Sequence, residues 1–118
     1  MGKQMELKSQ SCVPCSGKLP PAANEEIAKM QQQIPQWQVK ENQGTKYIER
    51  TYSFPDFKEA IAYTDAVGEI AEAEGHHPLL TTEWGKVTVA WWTHAINGLH
   101  QNDFVMAAKC DSLFTEHQ

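Results

Sequence analysis

Five histidines occur in the 118 residues, and two of them, His76 and His77, stand side by side in the stretch EAEGHHPLL. Imidazole gains and loses a proton near neutral pH, so a pair of this kind suits acid–base catalysis, and it is equally a familiar metal ligand. Gly75 can end a helix in the left-handed conformation and Pro78 forbids its continuation, so the backbone between them is held. Adjacent residues beyond a helix end point in different directions, and the pair could address two sides of a cleft. Glu72 lies four residues before His76, where helical spacing would let its carboxylate accept a ring N–H and set the tautomer. Glu74 has no evident purpose, since both carboxylates stand in a last turn that disfavours negative charge.

Two further residues join this group. His94 follows Trp91, Trp92 and Thr93 at the end of an apolar strand, where a side chain is delivered to an adjoining cleft. Asp103 falls at the start of a final helix, where its charge is favoured and where it could orient a histidine or bind a polar substrate edge. A plain helix-start residue is the simpler reading of Asp103. His76, His77 and His94 together make three imidazoles, the number found around a catalytic zinc. The H-E-x-x-H spacing is absent, however, and adjacent histidines chelate awkwardly. Residue types place acid–base catalysis ahead of metal binding and leave both open. His100 and His117 lack comparable neighbours and read as surface residues.

Cys12 and Cys15 have the spacing of half a zinc knuckle or of a redox dithiol. Only Cys110 remains to complete a metal site, and the pair does not sit at a helix start after a strand. A structural or vestigial role is expected ahead of metal or redox chemistry, with no disulfide framework from an odd count of three.

The elements that must position these side chains follow from periodicity. Residues 1–23 mix Lys, Gln, Ser, Gly and Pro and predict a loose arm, leaving 24–118 as the single domain. Asn24 can cap a short helix through Ile27, Met30 and Ile34, which Pro35 stops. Trp37 and Val39 alternate with polar residues, and a turn leads to a second strand with Ile48, Tyr52 and Phe54 on its core face. Arg50 shares that face and breaks the pattern. Asp56 caps the longest helix, with an apolar stripe of Phe57, Ala60, Ile61, Thr64, Val67 and either Ile70 or Ala71. Strands over LLTTE and VTVAWWT follow, with Val87, Val89 and Trp91 on one face. Thr88, Ala90 and Trp92 on the other are too apolar for a freely wet surface, which suggests a second subunit there. Asn102 can cap a last helix with Phe104, Ala107, Ala108 and Phe114 inward. The layout predicts an α+β fold, an antiparallel sheet of about four strands with three helices packed on one face.

Composition sets the outer bounds. The formal charge is −5 and 41% of residues are hydrophobic, with no basic stripe for nucleic acid and no run of membrane length. The opening MGKQMELKSQ lacks the apolar core of a secretory signal, so a cytoplasmic protein is expected.

With EAEGHHP, WGKVTVAWWTH and GLHQNDFVMAAKCD assembled, the chain closely resembles the pterin-4a-carbinolamine dehydratase family, also known as the dimerisation cofactor of a homeodomain transcription factor. The resemblance runs from about Ile27 to Leu113 and is strongest to the bacterial branch. It rests on Glu72, His76, His77, Pro78, Trp84, Thr93, His94 and Asp103. It implies dehydration of 4a-hydroxytetrahydrobiopterin, or a related pterin, to quinonoid dihydropterin, with no metal and no separate cofactor. The carbinolamine arises when phenylalanine hydroxylase and related enzymes consume their tetrahydropterin. By the same resemblance His76 and His94 are acids serving the hydroxyl on opposite faces of the pterin, and His77 binds the ring and can act as base. Glu72 and Asp103 orient histidines or hold the pterin, Pro78 and Trp84 line the substrate site, and the subunit forms dimers or tetramers. This chain departs at Asn102 and Leu80, where some animal members carry Arg and Trp at the pocket rim. Animal relatives also stabilise a transcription-factor dimer, so an interaction or regulatory protein acting on hydroxylase expression is the competing class.

Overall fold

The computed structural model describes residues 7–12 and 20–116. In chain order the elements are α1 (Asn24–Gln31), β1 (Gln38–Asn42), β2 (Thr45–Ser53), α2 (Phe57–Glu74), β3 (Leu79–Glu83), β4 (Lys86–Trp91) and α3 (Gln101–Glu116). The four strands form one antiparallel sheet in the order β1-β2-β4-β3. This is the α+β arrangement expected from the periodicity. The two hairpins join through β2 and β4, which pair from Ile48 opposite Trp91 to Ser53 opposite Lys86. Consequently β4 is central, and its C-terminal end delivers Thr93 into the buried interior and leaves His94 at the surface beside it. No helix among the described residues is long and apolar enough to cross a membrane.

One face of the sheet is sealed. Ile48, Tyr52, Val87, Val89 and Trp91 are all fully buried, beneath α2 and α3. The other face keeps Thr51 hydrogen-bonded to Thr88 at 3.0 Å and carries a shallow groove of about 330 Å³. Tyr47, Leu79, Ala90 and Trp92 line that groove.

Asp56 caps α2 as its sequence position predicts, accepting the Glu59 N–H at 2.8 Å. The buried stripe of α2 is rotated from the expected one. Ala60, Tyr63, Val67 and Ala71 are buried, whereas Phe57 is 47% and Ile61 38% exposed. Tyr63 causes the rotation. Its ring packs 4.9 Å from Tyr52 and 5.2 Å from Phe54, and its hydroxyl donates to the Cys110 carbonyl at 2.6 Å. A polar-tipped aromatic takes the central place once its hydroxyl has an acceptor. Asn24 and Asn102 were expected as caps but lie inside their helices, and α1 is instead closed by Glu26 accepting the Ala23 N–H at 2.9 Å. The described arm residues 7–12 include a turn of 3-10 helix whose Leu7 is buried, in place of the loose course expected there. Cys15 and His117 lie outside the described residues.

Arg50 is accommodated on the core-facing side by Asp111. One carboxylate oxygen of Asp111 accepts the Arg50 guanidinium at 2.7 Å, the Trp37 indole N–H at 3.0 Å and the Tyr52 hydroxyl at 2.5 Å. The guanidinium carbon also lies 4.3 Å from the centroid of the Tyr52 ring, a cation–π contact. Replacing Asp111 with alanine would strand two donors on nearly fully buried rings. Asp111→Ala is expected to lower the unfolding free energy by about 3 kcal/mol in urea titrations, with Asp111→Asn losing less.

Candidate active site

The histidine loop is built by the end of α2. Gly75 takes the left-handed conformation at φ 68°, its N–H donating to the Glu72 carbonyl at 3.2 Å. The His76 N–H reaches back to the Ala71 carbonyl at 3.1 Å. These two bonds make a Schellman motif, which fixes the backbone of His76 against the last turn. Pro78 then leads directly into β3.

The side chain of His76 turns inward. Its Nε2 lies 2.6 Å from Oδ1 of Asp103, and its ring stacks on Trp91 at 5.5 Å with an interplanar angle of 10°. Asp103 is completely buried. Its second oxygen accepts the Thr93 hydroxyl at 2.9 Å and the His100 backbone N–H at 2.9 Å. Both of these neighbours donate, which is the pattern an acceptor-only carboxylate requires. Nε2 of His76 is therefore the protonated nitrogen in the neutral ring, and Nδ1 keeps the lone pair. The array spans three loops, since His76 follows α2, Thr93 follows β4, and His100 precedes α3.

His77 points the other way. Its Nε2 meets Glu72 Oε1 at 2.9 Å, with side chains 63% and 82% exposed. The expected contact from Glu72 to His76 is thus replaced by one to His77. Gly75 reverses the chain, so the residue five positions on, rather than four, returns over the Glu72 side chain. An exposed pair of this kind adds little stability, and orientation of the imidazole is its main effect.

His94 opens a single turn of 3-10 helix, His94–Ile96, immediately after Thr93. Backbone bonds between Thr93 and Gly98 close that loop, and Asn97 takes a left-handed conformation within it. Thr93 is buried toward Asp103, while His94 faces outward with its ring 4.8 Å from Trp92. Trp84 is 71% exposed in the β3–β4 turn. The strand β3 separates it from the half-buried Pro78, six residue steps or roughly 20 Å at strand rise. Within one chain the structure joins His76, Asp103 and Thr93, pairs His77 with Glu72, and leaves Trp84 at the far end of a strand. Among the described residues no group of three His, Cys, Asp or Glu could hold a metal ion.

Sequence reasoning gave Thr93 and His100 no role. His100 was read as surface, yet its Nδ1 accepts the Asn102 N–H at 3.0 Å while Asp103 accepts the His100 N–H. This is capping-box geometry, and the three-residue spacing from His100 to Asp103 was a usable signal. Trp91, which shares the fully buried face of β4 with Val87 and Val89, also supplies the surface on which His76 stacks.

Comparison with known proteins bears on this arrangement. Residues 20–113 match the family model described as pterin 4 alpha carbinolamine dehydratase. The chain belongs to this family. A Chlorobium limicola protein named "Putative pterin-4-alpha-carbinolamine dehydratase" is 54% identical over 108 residues, covering 92% of this chain and 96% of its own length. A Gloeobacter violaceus protein, "Putative pterin-4-alpha-carbinolamine dehydratase 1", is 56% identical over 109 residues, covering 92% and 94%. The crystal structure of a transcriptional coactivator/pterin dehydratase from Brucella melitensis superposes with a TM-score of 0.71 at 27% identity, over 79% of this chain and 97% of that one. A pterin dehydratase-like RuBisCO assembly factor of the alpha-carboxysome shares the fold, with a TM-score of 0.56 at 18% identity over 65% and 87%.

In this pterin carbinolamine dehydratase family member the tautomer of His76 is open to direct observation. Ring-nitrogen shifts of the neutral imidazole should report the Nε2–H form in the wild-type chain. Asp103→Asn, which offers a single acceptor oxygen and adds donors, should lose that preference. A mixed tautomer population in the wild type would contradict the assignment.

Proposed function

We propose that this chain dehydrates 4a-hydroxytetrahydrobiopterin, or a closely related 4a-hydroxytetrahydropterin, to quinonoid dihydropterin and water. The observation that carries the reading is the buried Asp103 beneath His76, beside a loop whose next residue is a second, differently placed histidine. Loss of the C4a hydroxyl needs one proton delivered to the departing oxygen and one removed from a ring nitrogen. Imidazole serves both directions at neutral pH, and no net proton is consumed.

In this reading His76 and His94 are the acids on opposite faces of the pterin, one of them giving the single proton to the hydroxyl on its face, and His77 holds the ring and accepts the nitrogen proton. Asp103 holds the His76 ring at Nε2 and keeps Nδ1 as the exchanging atom, much as a buried carboxylate orients a catalytic histidine elsewhere. Glu72 performs the orienting task for His77. Trp84 and Pro78 contribute to pterin binding, and for Trp84 this requires a neighbouring subunit. The chain self-associates as a dimer or tetramer, acts in the cytoplasm, and returns pterin to phenylalanine hydroxylase without a metal or cofactor of its own.

The name of the Brucella relative as a transcriptional coactivator supports a second reading, in which the chain also regulates through a protein partner. The two separate cleanly. A His76→Ala, His94→Ala double variant is expected to lose about a thousandfold in kcat/KM on chemically prepared carbinolamine, measured by stopped-flow absorbance. Retention of full activity would overturn the dehydratase reading. A regulatory effect in cells that survives in the inactive variant would establish the second.

A further inference from the structure

Glu74 sits in the last turn of α2, where the macrodipole disfavours a carboxylate, and the proposed reaction makes no use of it. Its Oε1 accepts the backbone N–H of Cys12 at 2.8 Å, a contact across 62 residues of chain. The Cys12 thiol in turn lies 4.0 Å from the carbonyl oxygen of Asn102. Glu74 stands two residues before His76, and Asn102 one residue before Asp103. A single residue of the N-terminal arm therefore touches both of the elements whose separation sets the His76–Asp103 hydrogen bond.

The arm has its own anchors. Leu7 is buried and its N–H donates to Gln33 Oε1 at 3.0 Å. Lys109 Nζ donates to the Lys8 carbonyl at 3.1 Å, and Gln101 Nε2 to Gln10 Oε1 at 2.5 Å. Residues 8, 10 and 12 thus run along α3 from Lys109 back to its start before Cys12 reaches across to α2. Burial, followed by the nearby charges of Glu74 and Asp103, pushes the Cys12 thiol up to about 12. At neutral pH it is an S–H group that can donate to the Asn102 carbonyl, and a poor thiolate nucleophile.

We infer that Cys12 and Glu74 form a clip closing the last turn of α2 onto the start of α3, with Glu74 as a positioning residue for the His76–Asp103 pair. The inference rests on the proposed role of His76 only for its effect on turnover. A bond from a backbone N–H to a carboxylate is charge-assisted and among the stronger hydrogen bonds. Catalytic geometry tolerates little displacement, so slackening this clip should cost rate more than binding.

The test compares Glu74→Ala with Glu74→Gln in the full chain. The glutamine amide oxygen can still accept the Cys12 N–H, whereas alanine cannot. Two quantities are read: exchange of the His76 ring Nε2–H proton by NMR, without substrate, and kcat and KM for carbinolamine dehydration. In Glu74→Ala the ring proton should exchange about tenfold faster, and kcat should fall about tenfold with KM within about twofold. Glu74→Gln should recover most of both losses. Cys12→Pro removes the donated N–H itself and should reproduce the alanine result. Wild-type ring-proton exchange in folded Glu74→Ala and Cys12→Pro would overturn the clip. Absence of dehydration by the wild-type chain would overturn the proposed reaction instead, with the exchange measurement still deciding the clip.

Discussion

The carboxylate of Asp103 has no access to solvent, and the geometry of the site follows from that constraint. Burying such a group without partners costs several kcal/mol, so donors must be brought to it. They come from three separate places: the His76 ring after α2, the Thr93 hydroxyl after β4, and the His100 backbone at the start of α3. One buried group thereby pins three loops to a common point. Its place in the first turn of α3 adds the favourable field of the helix N-terminus. Displacing any of the three loops leaves a buried acceptor short of a partner, which couples the stability of this region to the placement of His76.

That coupling gives three imidazoles of identical intrinsic chemistry three different surroundings. His76 is held on two sides, by Asp103 at its edge and Trp91 against its face. His77 is exposed and meets a still more exposed Glu72. His94 faces outward beside Trp92, joined to the buried array only through its neighbour Thr93. A dehydration that needs a proton supplied and another removed gains from such inequality, because the groups are not interchangeable. The Schellman turn at Gly75 creates much of it, by sending His76 and His77 to opposite sides of one helix end.

The α+β layout, the four strands and the three helices could all be read from periodicity and stop signals, because the alternation in β2 and β4 and the stops at Pro35, Gly75 and Pro78 are local. Long-range pairings were out of reach. The stripe of α2 was misplaced because Tyr63 looks amphipathic until Cys110 offers its hydroxyl an acceptor. Arg50 looked like an error in its strand until Asp111, 61 residues away, supplied a partner. Glu72 was assigned to His76 on helical spacing, which fails once the chain reverses at Gly75. Glu74 had no visible purpose because its partner is a backbone N–H in the N-terminal arm, and backbone groups carry no sequence signature. The candidate site residues stand out in the sequence as types at spacings, while their pairing is a property of the fold.

The central claim is that His76, His77 and His94 act on one bound pterin. An NMR titration with a non-reacting dihydropterin, following the ring resonances of all the histidines, addresses it directly. The account predicts that signals of His76, His77 and His94 move together with a single dissociation constant, while those of His100 shift far less. Saturable binding that leaves those three rings unmoved would contradict it.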